Sequence, residues 1–275
     1  IATKFKLPSI LLLLIAGFIV GPVLNWISPH QMFGETFYPF VSLSVALILF
    51  EGGLSLKISD LSDTGKIVRN LITLGYAVTS LGTTILASLC FALDLEICLL
   101  LGTILAVSGP TVVTPLLRQM KLKHSLATIL RWEGITIDPI GATLSVMVYE
   151  VIMADKASQA FSVAVEIILA TLFVGIVLGT LGAFIIMALF KKRLIPEFLQ
   201  EALTFIIVIF VYALSGILVP ESGLLAVTVM GIILANQQMV VIKHVVTFKE
   251  NISVLLLSSL FIMLAAQIKL DQLTQ

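Results

Sequence analysis

The sequence has 275 residues, 59% of them hydrophobic and only 12% charged, with 16 basic and 16 acidic side chains and a formal net charge of zero. A soluble domain is about one quarter charged, so charge here is too sparse to solvate a globular surface, and the even balance gives no basic footprint for nucleic acid. The apolar residues fall instead into runs approaching the roughly 20 residues needed to cross a hydrocarbon layer.

The first run covers about residues 7–25 and ends in Gly21-Pro22 before a loop with Trp26, Pro29 and His30. It is too long for a signal-peptide core and has no small-residue cleavage site after it, so no cleaved leader is expected. The second run, 37–56, carries Gly52 and Gly53 near its end. The third and fourth, 69–92 and 97–118, are separated by a short loop flanked by Cys90 and Cys98, which read as small apolar helix-end residues rather than a disulfide. The fifth to eighth runs cover 126–153, 161–190, 200–219 and 223–236, the last of them short. A ninth, 251–268, is the weakest, with Ser258, Ser259 and Gln267 inside it. Nine spans of this kind predict an all-α polytopic membrane protein.

Basic residues set the orientation of such a chain. Fourteen of the 16 fall on one side: Lys4, Lys6, Lys57, Lys66, Arg69, Arg118, Lys121, Lys123, Arg131, Lys191, Lys192, Arg193, Lys243 and Lys249. Only Lys156 and Lys269 fall on the other. The alternation predicts a cytoplasmic N-terminal segment and an external loop at Trp26.

Chemistry is expected where polarity enters the spans, because an ionisable side chain at mid-depth is expensive. The fifth span reads Arg131-Trp132-Glu133-Gly134-Ile135-Thr136-Ile137-Asp138-Pro139, with Asp138 near its midpoint. Glu133 lies about 7–8 Å nearer the basic side along a helix. Pro139 removes a backbone donor and is expected to loosen the helix beside Asp138. The fourth span has Ser108-Gly109-Pro110 at its midpoint, followed by Thr111. Gly and Pro there predict a broken helix, and irregular backbone at that depth survives only under protein or water. A discontinuous helix beside a buried carboxylate is how secondary transporters build ion sites.

Taking a carboxylate out of water penalises its bare charged form. Asp138 is therefore expected to hold a proton or a metal cation in competition. Ser108, Thr111, Thr136 and loosened carbonyls supply hard oxygen atoms suited to Na⁺, Li⁺ or K⁺. Glu133, Gly109, Pro110, Pro139 and Arg131 would support the site. The function expected is cation/proton antiport; a cation channel or passive uniporter is the reading from a different class. No nucleophile–base pair, phosphate loop or Cys/His metal spacing is present, so neither an enzyme nor a resident cofactor is expected.

Several stretches carry a family resemblance: Leu7-Pro8-Ser9-Ile10 through Gly21-Pro22, Leu49-Phe50-Glu51-Gly52-Gly53-Leu54, Gly102 through Arg118, Trp132 through Ala142, and Glu221-Ser222-Gly223-Leu224-Leu225-Ala226-Val227. With these the chain resembles bacterial NhaP-like sodium/proton exchangers of the monovalent cation/proton antiporter superfamily. The resemblance implies an NhaA-like fold with a discontinuous helix and inverted repeats. It also implies a homodimer in a bacterial inner membrane that exchanges Na⁺ or Li⁺, alternatively K⁺, for H⁺. Asp138 matches the family's cation- and proton-binding aspartate, and Glu133 a glutamate that steadies the site. Ser108-Gly109 stands where members often have Thr-Asp, and Ile137 where they have Asn or a second Asp. By this comparison residues 1–68 and 200–275 are scaffold and dimerisation spans. Residues 69–153 are the first core repeat, and 154–199 the linking span. The chain would be a fragment lacking the first span and most of the second repeat.

Among the remaining polar residues, Glu51 reads as a helix-end turn, and Glu150 and Glu166 as interfacial carboxylates. His30, His124 and His244 read as loop residues, and Asn236 as a helix cap. Gly175, Gly179 and Gly182 are spaced for close helix packing.

Overall fold

The computed structural model describes residues 9–91, 93–120, 122–153, 160–238 and 243–268, and every regular element among them is helical. Lys4, Lys6, Lys121, Lys156 and Lys269, counted above, lie outside the described residues. Helix α1 (Ser9–Phe18) widens into a π-helical turn at Ile19–Val23, where Pro22 interrupts the regular ladder. A short helix α2 (Pro29–Phe33) leads into α3 (Phe37–Leu54). Next come α4 (Leu61–Asn70), a second π-helical turn at Leu71–Gly75, and α5 (Tyr76–Cys90). Helices α6 (Leu95–Leu105) and α7 (Pro110–Gln119) are the two halves of the fourth span. Helices α8 (His124–Met153), α9 (Ala160–Lys191), α10 (Gln200–Leu218), α11 (Ser222–Asn236) and α12 (Lys243–Ala266) follow. Both cysteines are free, Cys98 buried and Cys90 exposed.

Five helical stretches are long and apolar enough to cross a bilayer, and shorter apolar helices run over Ile10–Val23, Leu95–Leu105, Ser222–Asn236 and Ser253–Ala266. The third element begins earlier than its apolar run, because α4 is an amphipathic extension. Thr64 and Val68 on its inner face are buried, and Val68 packs in a cluster with Leu56, Trp132 and Ile135. Pro139 differs more sharply from expectation: α8 is continuous through it from His124 to Met153. Proline forfeits one backbone bond to Ile135, but the helix on both sides is held by neighbours, with Ile135, Ile137, Pro139 and Gly141 all buried.

Lipid tails are as apolar as leucine, so helices in a membrane associate through close packing rather than through water exclusion. Several close helix contacts accordingly use glycine. A methyl built on Gly53 of α3 would lie 2.6 Å from the Thr228 carbonyl oxygen of α11, and one on Gly231 would overlap the Phe50 carbonyl. Gly179 of α9 meets the Ala226 carbonyl in the same way, and Gly17 and Gly21 seat α1 and its π turn on Ile262 and Ala266 of α12. Around these contacts α3, α9, α10 and α11 form the main buried cluster, including Leu49, Phe50, Ile186, Val208, Val227 and Met230.

The elements from α4 to α8 form a second group. Gly102 of α6 presses on Ser80 and Thr84 of α5, and Gly52 of α3 abuts Ile135 of α8 at 3.2 Å from an ideal methyl position. Residues 55–60 connect the two groups, and Asn236 at the end of α11 grips this connector. Its Oδ1 accepts from the Ile58 amide at 2.7 Å, and its Nδ2 donates to the Leu56 carbonyl at 2.8 Å and to the Ile232 carbonyl at 2.7 Å. Asn236→Ala should therefore destabilise the fold by about 1–3 kcal/mol, since it removes the side-chain partner of the Ile58 amide and of the Leu56 carbonyl. Thermal unfolding of the purified protein in detergent would register this as a lowered midpoint; an unchanged midpoint would show the clasp to be energetically idle.

Candidate functional site at the helix break

The break in the fourth span follows from three residues. Pro110 cannot continue a helix arriving from its N-terminal side but suits the first position of a new one. The residue before a proline is driven to extended backbone, and Gly109 has φ −72° and ψ 145°. Helix α6 closes with Ala106 N–H donating to the Gly102 carbonyl at 3.2 Å and Val107 N–H to Ile104 at 3.4 Å. Helix α7 opens with the Val112 and Val113 amides both on the Gly109 carbonyl at 3.2 Å. The negative end of one helix thus approaches the positive end of the other.

The break lies against one face of α8. Gly134, Asp138 and Gly141 occur at i, i+4 and i+7 and share that face. A methyl on Gly134 would lie 3.4 Å from the Ser108 carbonyl oxygen, and one on Gly141 would overlap the Val107 side chain. The unwound segment thus rests in two glycine notches with Asp138 between them. A methyl on Gly109 would lie 3.8 Å from Asp138 Oδ1 and 3.4 Å from Thr111 Oγ1. The carboxylate, the Thr111 hydroxyl and the N-terminus of α7 therefore converge on one point, where partial positive charge suits an anion.

Ser108 does different work. Its Oγ donates to Glu133 Oε1 at 2.5 Å, tying the break to α8 one turn away from Asp138. Thr136 donates its hydroxyl to the Trp132 carbonyl of its own helix at 2.6 Å. Arg131 is half-buried and about 10 Å along the helix axis from Asp138. The structure thus gathers Asp138, Thr111, Gly109 and Pro110 at the break, joins Ser108 to Glu133 beside it, and leaves Arg131 at a distance. Among the described residues no three His, Cys, Asp or Glu side chains cluster as metal ligands. A cation here would be held by one carboxylate and neutral oxygens.

Val107, Gly141 and Tyr76 belong to this site and carry no sequence motif of their own. The seven-residue spacing of Gly134 and Gly141 about Asp138 is the one local signal that points to them. At the other end of α8, Glu150 lines a cavity of about 270 Å³ with Glu166 of α9 and Glu221, which has a left-handed backbone (φ 63°) before α11. Burial holds the Glu221 carboxyl above the usual carboxylate range.

A family model for the transmembrane part of sodium/hydrogen exchangers matches residues 1–275. Na(+)/H(+) antiporter 1 of Methanocaldococcus jannaschii is 27% identical over 99% of this chain and 66% of its own length. K(+)/H(+) antiporter NhaP2 of a Shewanella species is 24% identical over 86% of this chain and 41% of its own. The solved structure of the sodium proton antiporter MjNhaP1 from M. jannaschii at pH 8 superposes with a TM-score of 0.80 at 24% identity, covering 100% of this chain and 68% of that one. The chain therefore spans about two thirds of the first relative and well under half of the second, and it shares the fold of the solved structure.

The glycine notches make a direct prediction. Gly141→Ala should push Val107 and the break off α8 and lower the thermal midpoint, whereas Gly141→Ala with Val107→Ala should recover most of the loss. A double variant no more stable than Gly141→Ala alone would contradict the seating.

Proposed function

Because the chain belongs to the sodium/hydrogen exchanger family, we propose that it is the ion-site portion of a secondary-active antiporter exchanging Na⁺ or Li⁺ for H⁺. The observation that carries this reading is the position of Asp138 against the helix break, with Thr111 and the N-terminus of α7 on the same point. A hydrated alkali ion entering there trades water for the Asp138 carboxylate, the Thr111 hydroxyl and unwound backbone oxygens. A proton competes for the same carboxylate. Neither the bare carboxylate nor the doubly loaded one is favoured away from water, so cation and proton alternate on Asp138. Glu133, held by Ser108, keeps a second carboxylate near the entry path without closing on the ion. With one acid at mid-depth, one cation exchanges for one proton.

The packing supports a division of labour. Residues 69–153 carry the site and are proposed to move. Residues 1–68, apart from α4 which packs on α8, and 200–275 are proposed as the scaffold, and 154–199 as the link, with α9 seated on α11 through Gly179. Alternating access would then be displacement of the first group against the second. We also propose a homodimer in a bacterial inner membrane, with the lysine-rich ends of the spans cytoplasmic. K⁺ in place of Na⁺ is the second reading, favoured by the similarity to K(+)/H(+) antiporter NhaP2.

The test uses the full-length protein in liposomes with an internal pH dye and an imposed proton gradient. Na⁺, Li⁺ or K⁺ is added in turn, with voltage clamped by valinomycin and K⁺ for the first two. Cation-dependent dissipation of the gradient is expected, with Asp138→Asn lowering it at least 100-fold, to about the protein-free rate. Exchange retained by Asp138→Asn would sink the assignment. Tracer-ion equilibration without proton movement would indicate a channel instead.

A further inference from the structure

The last turn of α6 faces a problem that the break creates. Of its four final carbonyls, Gly102 and Ile104 accept from Ala106 and Val107, and the Thr103 carbonyl has no amide to receive. The donor that fills this place is a side chain from another helix: Tyr76 Oη of α5 donates to the Thr103 oxygen at 3.1 Å. Tyr76 is 8% exposed. Its ring edge lies 3.6 Å from a methyl position on Gly141 of α8, and the Ser145 hydroxyl, one turn further along α8, sits beside the phenol. One side chain of α5 thus touches both α6 and α8. It does so directly behind Val107, the residue seated in the Gly141 notch.

We propose that Tyr76 is a positioning residue for the cation site: by capping the Thr103 carbonyl while its ring leans on Gly141, it holds the end of α6 at one distance from α8 and so sets the geometry of the break across Asp138. It contacts no ion itself. Its removal frees the end of α6 to shift along α8 and loosens the oxygens beyond it, which weakens ion binding without touching the titrating acid. This rests on the exchanger reading for its transport consequence but not for its structural one.

The experiment is Tyr76→Phe, which keeps the ring and deletes the donor, beside Ser145→Ala, which leaves the Thr103 bond intact. In proteoliposomes of the full-length protein, Tyr76→Phe should raise the apparent KM for Na⁺ roughly tenfold, the factor equivalent to about 1.4 kcal/mol, with the maximal rate within about twofold of wild type. Ser145→Ala should change KM by less than about threefold. Independently of transport, hydrogen–deuterium exchange at the Ala106 and Val107 amides should quicken severalfold in Tyr76→Phe relative to wild type. Unchanged amide exchange, or an unchanged KM in a chain whose wild type transports, overturns the proposal. If the wild type moves no protons, the exchanger reading falls, and the Ala106 and Val107 amides alone decide for or against Tyr76.

Discussion

A peptide group left bare in hydrocarbon costs several kcal/mol, and a helix interrupted at mid-membrane exposes such groups at both of its new ends. The interval Ala106–Gly109 lies under that constraint, and its surroundings are arranged to meet it. Amides at the end of α6 fold back onto Gly102 and Ile104, the amides opening α7 share the Gly109 carbonyl, and Tyr76 donates to the Thr103 carbonyl. The Ser108 side chain crosses to Glu133. The same unwinding brings Gly109 and the Thr111 hydroxyl up to the face of α8 that carries Asp138.

The two helix groups meet this setting by different means. In the group built on α3, α9, α10 and α11, glycines bring backbone against backbone at Gly53, Gly179 and Gly231, and large apolar side chains fill the space between. Such packing has no adjustable side-chain layer and resists sliding. The group from α4 to α8 is joined to it through Gly52 against Ile135, a small apolar cluster around Trp132, and the connector held by Asn236. These contacts are fewer than those within the first group.

Much of this was legible in the chain. Among the described residues five of the nine apolar runs are helices long and apolar enough to cross a bilayer and the other four hold shorter apolar helices, because membrane helices satisfy their own backbones and leave a plain hydropathy trace. Ser108-Gly109-Pro110 announced the break through backbone rules that hold locally. Asp138, singled out by its cost at mid-depth, lies against that break. What was not legible depends on residues far apart in sequence. Ser108 reaches Glu133 across 25 positions, and Asn236 reaches Ile58 across 178. Nothing in their own stretches of sequence marks Tyr76 or Val107. Asn236, read as a cap, bonds one carbonyl of its own helix and also holds the distant connector. Pro139 shows a local rule being overridden: an internal proline predicts a loosened helix, yet α8 remains regular because its neighbours hold it.

The π-helical turn at Leu71–Gly75 has a geometric consequence for the helix it interrupts. Buried positions run Thr64 and Val68 on α4, then Tyr76, Ser80 and Thr84 on α5. On a straight α-helix, eight residues would carry Tyr76 about 80° around the axis from Val68. The turn accommodates one additional residue, roughly 100° of rotation, and brings the offset to about 20°. One inward stripe then continues along both segments. The turn behaves as an absorbed single-residue insertion: a homologous chain one residue shorter there would present the same stripe on an uninterrupted helix, so alignment gaps between relatives belong at this turn rather than in the helices flanking it.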